Sequence, residues 1–308
     1  MNIKHKLGIG VLAVATLASA CTKDFSDKNS NPEVSPSIQP ETMITTSQKA
    51  MVDRDFDWYY DNYGFLMRWM QFSVATPEGN QPGMFGGQNT NNFYSAFYTN
   101  VGRNLVEIEK LIGKMPDGNK LLYRNIGAIA KIHKVYAAFR VSDVNGSIPY
   151  TEALNARETA NFTPVYDSQE KQFDTFNEEL KASVDSLLKS STGQISYGKY
   201  DMFYTNEATA VANYAKTANV LRLKLALRLL KRNATKAKQI VDEVMASPAG
   251  LYAGNDEEWK FISSTQFALG GNWNPQGNNA SAVSINMLNF LKSNTDPRLA
   301  LFLSLIHI

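Results

Sequence analysis

Hydrophobic positions recur at helical spacing through most of the chain. Val101, Leu105, Ile108 and Ile112 fall on one face of a 3.6-residue helix. Leu122, Ile126, Ile129, His133 and Tyr136 form a similar stripe. Leu121, Ala128, Ile132, Val135 and Phe139 form a second stripe on the same segment, which predicts a helix packed on two sides. Phe173, Phe176, Leu180, Val184 and Leu187 mark a further helix, with Asp167 and Glu170 at the spacing of a capping box. A long apolar stretch over Val211–Leu230 is interrupted by Arg222, Lys224 and Arg228. Ala237, Ile240, Val241, Val244 and Met245 follow a break at Asn233, and "SPAG" at Ser247–Gly250 stops that helix.

Strand patterns are few. The helices pair across short breaks, 93–114 with 119–141 and 206–232 with 234–246. The predicted fold class is mainly α, built of stacked tetratricopeptide-like helix pairs with long loop insertions. The consensus Trp/Gly/Tyr repeat positions are absent, so the expectation concerns architecture. Long loops are expected at Thr76–Asn92, Asp143–Pro164 and Ser263–Ala280. In the aromatic run from Phe56 to Phe72, Phe65, Trp69 and Phe72 share a helical face and read as core. Tyr59, Tyr60 and Tyr63 are left as candidates for a surface.

The two ends read as processing segments. Lys4, His5 and Lys6 precede a short apolar stretch, Leu7–Leu17, and Ala18-Ser19-Ala20 is a small-residue cleavage context, so 1–20 reads as a signal peptide. That stretch is too short to cross a hydrocarbon core of about 30 Å as a helix. Cys21, the only cysteine, follows directly. This arrangement resembles a bacterial lipoprotein cleaved before Cys21 and acylated on its thiol, although Ala18 stands where such signals usually carry Leu. Residues 21–40, polar and proline-containing, read as a tether between lipid and folded body. At the other end, "LSLIHI" (residues 303–308) equals a frame translation of a transposon adapter used in preparing sequencing libraries. The expectation is that 41–302 is the folded domain, that 303–308 is adapter-derived, and that the fold is incomplete at the C-terminus.

Composition removes several functions. Of 308 residues, 31 are Lys or Arg and 29 Asp or Glu; removing 1–20 takes Lys4 and Lys6 and leaves 29 of each. A neutral chain lacks the basic face that nucleic acid requires. A single Cys excludes an internal disulfide, and no Cys/His set has zinc spacing. No Walker loop, HExxH or G-x-G-x-x-G is present, so neither a metal nor a cofactor is expected. With His5 in the signal and His307 in the tail, His133 is the histidine of the body, and it sits within an apolar stripe and reads as a core histidine. A Ser-His-acid site would have to be built on that buried position, and a Cys nucleophile is excluded if Cys21 is acylated. A glycosidase needs only two carboxylates across a cleft. Glu178/Glu179 and Asp256/Glu257/Glu258 read instead as solvated faces, and Arg222, Lys224, Arg228, Lys231 and Arg232 as a structural basic helix end.

Several strings, in a fixed order, carry a family resemblance. "RVSDVNGSIPYTEALNARE" (Arg140–Glu158), "FTPVYDSQEKQFDTFNEEL" (Phe162–Leu180), "KTANVLRLKLALRL" (Lys216–Leu229) and "NTDPRLALF" (Asn294–Phe302) resemble segments of SusD/RagB-like nutrient-binding lipoproteins of the Bacteroides group. "CTKDF" is similar to the Lys-then-acid signal after the acylated Cys in surface lipoproteins of that group. The resemblance implies a non-catalytic binding protein, lipid-anchored on the outer face of the outer membrane. Its ligand would be a glycan oligomer or a peptide, passed to a partner TonB-dependent (SusC-like) transporter. Family members continue well past residue 302, in keeping with an incomplete chain.

The loops are compatible with sugar binding. Thr76–Asn92 places Asn80, Gln81 and Gln88 around Phe85 among four glycines, and Ser263–Ala280 places Asn272 and Trp273 together. A sugar offers an apolar C–H face and a ring of hydroxyls, which suit a flat aromatic flanked by amides on loops of a rigid scaffold. The same composition is also what ordinary turns use. Two other functions stay open at this level: a surface glycoside hydrolase, and a helical-repeat interaction scaffold without a small ligand.

Overall fold

A computed structural model describes residues 38–52, 65–75, 91–190, 192–261 and 281–302, and the folded unit begins at Pro40. Its long helices are α1 (Pro40–Val52), α2 (Gly102–Lys114), α3 (Arg124–Asn145), α4 (Gln169–Leu187), α5 (Glu207–Leu229), α6 (Ala234–Met245) and α7 (Ile285–Ser293). From α1 to α6 each helix packs against its neighbours in sequence. This is the stacked arrangement the periodicity predicts, and it buries one continuous core.

The stripes account for that stacking. Val101, Leu105 and Ile108 are buried along α2, while both faces of α3 are buried, through Ile126, Ile129 and His133 on one and Ala128, Ile132, Val135 and Phe139 on the other. α3 is therefore sandwiched between α2 and α4, as a helix apolar on two sides requires. Leu121 and Leu122 leave these stripes. They belong to a separate short helix, Asp117–Leu122, and are 65% and 38% exposed.

Two polar devices join the helices. Lys134 on α3 is buried and bonds Glu109 of α2 at 3.1 Å and Glu179 of α4 at 3.0 Å. Burial opposes its charge, but the two carboxylates outweigh burial and hold the ammonium above its ordinary value. Arg222 of α5 is equally buried, donating to Asn177 of α4 at 2.9 Å and Glu243 of α6 at 2.5 Å. The basic helix end is thus structural at Arg222 and at Arg228, which forks onto Asp143.

The start of α4 departs from the expected capping box. Ser168 is the N-cap, accepting from Lys171 N at 3.2 Å. Asp167, freed from that role, turns inward and accepts from Tyr150 N, Thr151 N and Thr151 Oγ1, with Lys171 Nζ at 2.6 Å. Burial works against its charge, yet the Lys171, Thr151 and Tyr150 bonds prevail and keep the carboxyl below its usual range. One residue thereby pins the long loop between α3 and α4 to the helix that follows.

Strand content among the described residues is one antiparallel ladder, β1 (Ser73–Ala75) with β2 (Ser281–Val283), in register Ser73↔Val283, Val74↔Ala282, Ala75↔Ser281. An isolated bridge joins Ile148 and Asp167. Among the described residues no helix is long and apolar enough to cross a membrane.

Candidate functional site

Cys21 and the sugar-contact candidates Asn80, Gln81, Phe85, Gln88, Asn272 and Trp273 lie outside the described residues, as do Tyr59, Tyr60 and Tyr63. The roots of the two candidate loops are described. β1 ends at Ala75, where the first loop departs, and β2 begins at Ser281, where the second arrives. Ala75 and Ser281 are partners in the ladder. Two glycine- and amide-rich segments far apart in sequence therefore spring from one point. The junction is fastened further by Ser284 Oγ donating to Gln71 O across 213 residues and by Ser284 N to Phe72 O at 3.2 Å.

Beside the ladder lies an open groove of about 860 Å³, lined by Met70, Gln71, Phe72, Asn286, Phe290 and Arg298 among others. Its aromatics are open to solvent, with Phe72 45% and Phe290 59% exposed. Gln71 sits in the left-handed region at φ 60, which brings its amide to Asn286. Asn286 Nδ2 donates to Gln71 Oε1 at 2.5 Å, leaving a donor on Gln71 and an acceptor on Asn286. Arg298 is held by Asp296, whose carboxyl the Arg298 side-chain and backbone bonds bring down to about 2. The groove joins flat apolar surface to amide and guanidinium groups.

The expected core stripe in this region does not form. Among the described residues a π-helical Phe65 and Leu66 lead into the α-helical Met67–Trp69, and the chain turns at Met70 and Gln71, so Trp69 and Phe72 are 55% and 45% exposed. The left-handed Gln71 is what breaks the periodicity, and no Gly or Pro announces it.

A second cavity, of about 400 Å³, lies under the α3–α4 loop and is lined by Glu109, Lys110, Lys134, Tyr150, Thr175 and Glu179 among others. Glu179 is thus part of a packed cluster and not, as its sequence suggests, of a solvated face; Tyr150 donates its hydroxyl to it. Glu109 and Glu179 both line this cavity, and each is bonded to the ammonium of Lys134. A glycosidase pair needs one carboxyl to carry a proton toward a leaving group, a part poorly suited to carboxylates that are each paired with the same lysine ammonium. Glu257 is likewise engaged, accepting from Lys216 Nζ and from Ala253 N at 2.6 Å.

His133 lies in the core as expected. Its Nδ1–H donates to Ile129 O at 2.8 Å and its Nε2 accepts from the Gln48 amide at 3.0 Å, which assigns the tautomer. Gln48 also reaches Asp201 Oδ1 at 2.9 Å, and the Tyr214 hydroxyl donates to the same carboxylate. Burial, ahead of the Ile129 bond and the Asp201 charge, pushes the imidazole pKa down. Among the described residues no group of three or more His, Cys, Asp or Glu could hold a metal ion.

Comparison with known proteins identifies the architecture. No curated protein matches the chain. Solved structures do: a chitin-binding protein (24% identity, TM-score 0.65, 85% of this chain and 54% of that one) and a chitin-binding SusD homolog from Flavobacterium johnsoniae (22%, 0.65, 84% and 52%). A SusD homolog from Bacteroides thetaiotaomicron matches at 20% identity and TM-score 0.62, over 85% of this chain and 51% of that one. At these identities the likeness is one of fold, and the chain spans about half the length of the structures it matches. The family model described as "Starch-binding associating with outer membrane" matches residues 31–307, nearly the whole sequence, and the chain belongs to this SusD-like family.

Proposed function

We propose that the protein is a non-catalytic, lipid-anchored binding protein of the outer-membrane surface. It captures a polysaccharide or oligosaccharide and hands it to a partner TonB-dependent (SusC-like) transporter. The observation that carries the binding role is the ladder pairing Ala75 with Ser281, which gives the two amide- and aromatic-bearing loops a common root beside an aromatic groove. Phe85 and Trp273 supply flat faces for sugar C–H surfaces in this reading. Asn80, Gln81, Gln88 and Asn272 supply the hydrogen bonds that orient the ring. Family membership supports placement at the outer membrane, with Cys21 as the acylated residue and the lipid as the only membrane contact. Starch and chitin, named for the family and for its solved relatives, set the first ligands to try.

The test is a glycan array that includes maltohexaose and chitohexaose, followed by titration of the glycan held most tightly. Phe85→Ala and Trp273→Ala are expected to weaken binding about tenfold each, with unchanged melting, as a lost sugar–aromatic contact of about 1 kcal/mol or somewhat more would do. No reducing ends should appear on prolonged incubation, and the transporter should co-purify. Hydrolysis lost on mutating two carboxylates would favour the glycosidase. Transporter co-purification with silence across the array would favour the interaction scaffold.

A further inference from the structure

Helix α7 is out of keeping with the stack. Its nine residues, Ile285–Ser293, include Ile285, Met287, Leu288, Phe290 and Leu291, yet of these Leu291 alone is buried. A helix this short is marginal on its own hydrogen bonds and depends on packing an apolar face. In α2 to α6 neighbours in the stack supply that packing; the principal helical neighbour of α7 is the short helix Leu299–Phe302. The position of α7 is set at its start by polar bonds. Ser284 caps it, accepting from Met287 N at 3.1 Å, and Ser284 and Asn286 tie it to Gln71. Its apolar side chains are placed but not covered.

The segment across the ladder repeats the deficit. Met70 and Phe72 line the same groove as Phe290 and Phe302, and all four are exposed, Met70 by 63% and Phe302 by 56%. Leu301, beside Phe302, is 82% exposed. The polar groups of the groove are engaged chiefly with one another or nearby: Asn286 bonds Gln71, and Arg298 forks onto Asp296 with Nε at 2.9 Å and Nη2 at 2.6 Å. A continuous apolar lining of this kind suits a packed polypeptide surface. At the other end of the folded unit α1 has its Ile44 in the core.

Length and position say what covers the groove. The chain spans 54%, 52% and 51% of three solved structures that share its fold, so that architecture accommodates about as much polypeptide again. Phe302, on the last described element, itself lines the groove, so polypeptide continuing from it starts within the uncovered patch. We propose that the groove between Met67–Ser73 and α7 is the packing seat of the C-terminal part of this same polypeptide, an apolar segment that follows Phe302 in the complete protein and buries Met70, Phe72, Phe290 and Phe302. The 308-residue chain presents one half of an internal interface. Ser73, Ala282 and Val283 of the ladder also line the groove, so the same segment braces the ladder from which the two candidate loops spring. The seat rests on packing and on the length of the fold; it is independent of the glycan-binding reading and holds equally for a scaffold that binds no sugar.

The reading frame is first sequenced past the codon for Phe302 in the source DNA, and the complete protein and the 308-residue chain are both made with Cys21→Ser. Phe290→Cys and Met70→Cys, one on each side of the ladder, are then introduced singly and reacted with a maleimide, the modified peptide being followed by mass spectrometry. Lys238→Cys, at an exposed position of α6, is the reference. Both groove cysteines should react at least about tenfold more slowly in the complete protein than in the 308-residue chain, with Lys238→Cys reacting alike in the two. Unchanged rates at either groove position overturn the proposal, as does a frame that closes after Ile308. Slow reaction of the 308-residue chain that quickens on dilution makes a second copy the occupant and overturns it. Protection of the complete protein only on addition of maltohexaose or chitohexaose makes the groove a sugar site and overturns it as well.

Discussion

At the residue scale the molecule reuses polar side chains as internal fasteners, and His133 has a consequence for pH. The ring is fully buried among Gln48, Tyr214, Trp259 and Phe203, with the Asp201 carboxylate as the nearby charge. Its folded pKa is depressed below the ordinary 6.5, chiefly by burial. Above 6.5 both states are neutral and the full contribution is present. As pH falls below 6.5 the unfolded chain takes up a proton that the buried ring refuses, and stability drops until the folded pKa is reached. Asp167, lowered from 3.8, has its own contribution intact until pH falls further, so it does not confuse this window. The free energy of unfolding from urea titrations, and the urea midpoint with it, should therefore decrease between about pH 7.5 and 5.5. His133→Gln should be less stable at pH 7.5 and much flatter across the range. Parallel pH slopes for the two proteins would mean that His133 does not titrate on unfolding.

At the scale of elements, the entry to α2 makes a sharper point. Asn92–Ala96 is α-helical, Phe97–Val101 is a π-turn, and Gly102 opens the regular helix. The wide turn places Phe97 against Tyr98 and Tyr150, at 4.9 and 6.5 Å between ring centres, and its Cβ-less neighbour makes room for it. A Cβ on Gly102 would lie 2.8 Å from both the Phe97 ring and the Phe97 carbonyl oxygen. Gly102→Ala is expected to destabilise by about 1–3 kcal/mol, the overpacking cost exceeding the roughly 1 kcal/mol that Ala gains in helix propensity. Gly113 on the same helix faces open space. Gly113→Ala should accordingly stabilise by about 0.5–1 kcal/mol. Equal denaturation midpoints for the two variants would refute the steric account. The same contrast measures what the sequence could reveal. The apolar stripes of α2 to α6 were readable because each repeats one spacing over several turns. The π-turn, the left-handed Gln71 and the inward turn of Asp167 are single-residue events with no period to detect, and each was misread or missed. Candidate sugar residues could be nominated from composition, but the pairing of their loop roots and the Phe72–Phe290 groove depend on chain segments meeting across long separations.

At the scale of the whole molecule, the ladder is where a small structural element has a large reach. It contains three residue pairs, yet it closes a loop of the chain that includes every helix from α2 to α6. Ser284 N bonds Phe72 O, and antiparallel pairs alternate, so Val74 and Ala282 form the next hydrogen-bonded pair while Ala75 and Ser281 face each other without one. Ala282→Pro removes the N–H that Val74 O accepts. The direct loss is about 1 kcal/mol, a fall of about 2–4 °C in melting temperature for a domain of this size. The helical stack does not depend on that bond, so the protein should remain folded with unchanged far-ultraviolet circular dichroism. The two glycine-rich loops share their root there, and under the proposed function glycan affinity should fall about tenfold or more, because misplacing one loop would separate the groups proposed to act together on one sugar. Val74→Thr, which keeps the backbone bond and alters only a side chain, should bind as the wild type does. If Ala282→Pro also binds normally, each loop is positioned by contacts of its own, and the shared root is an accident of the fold and not the basis of a site.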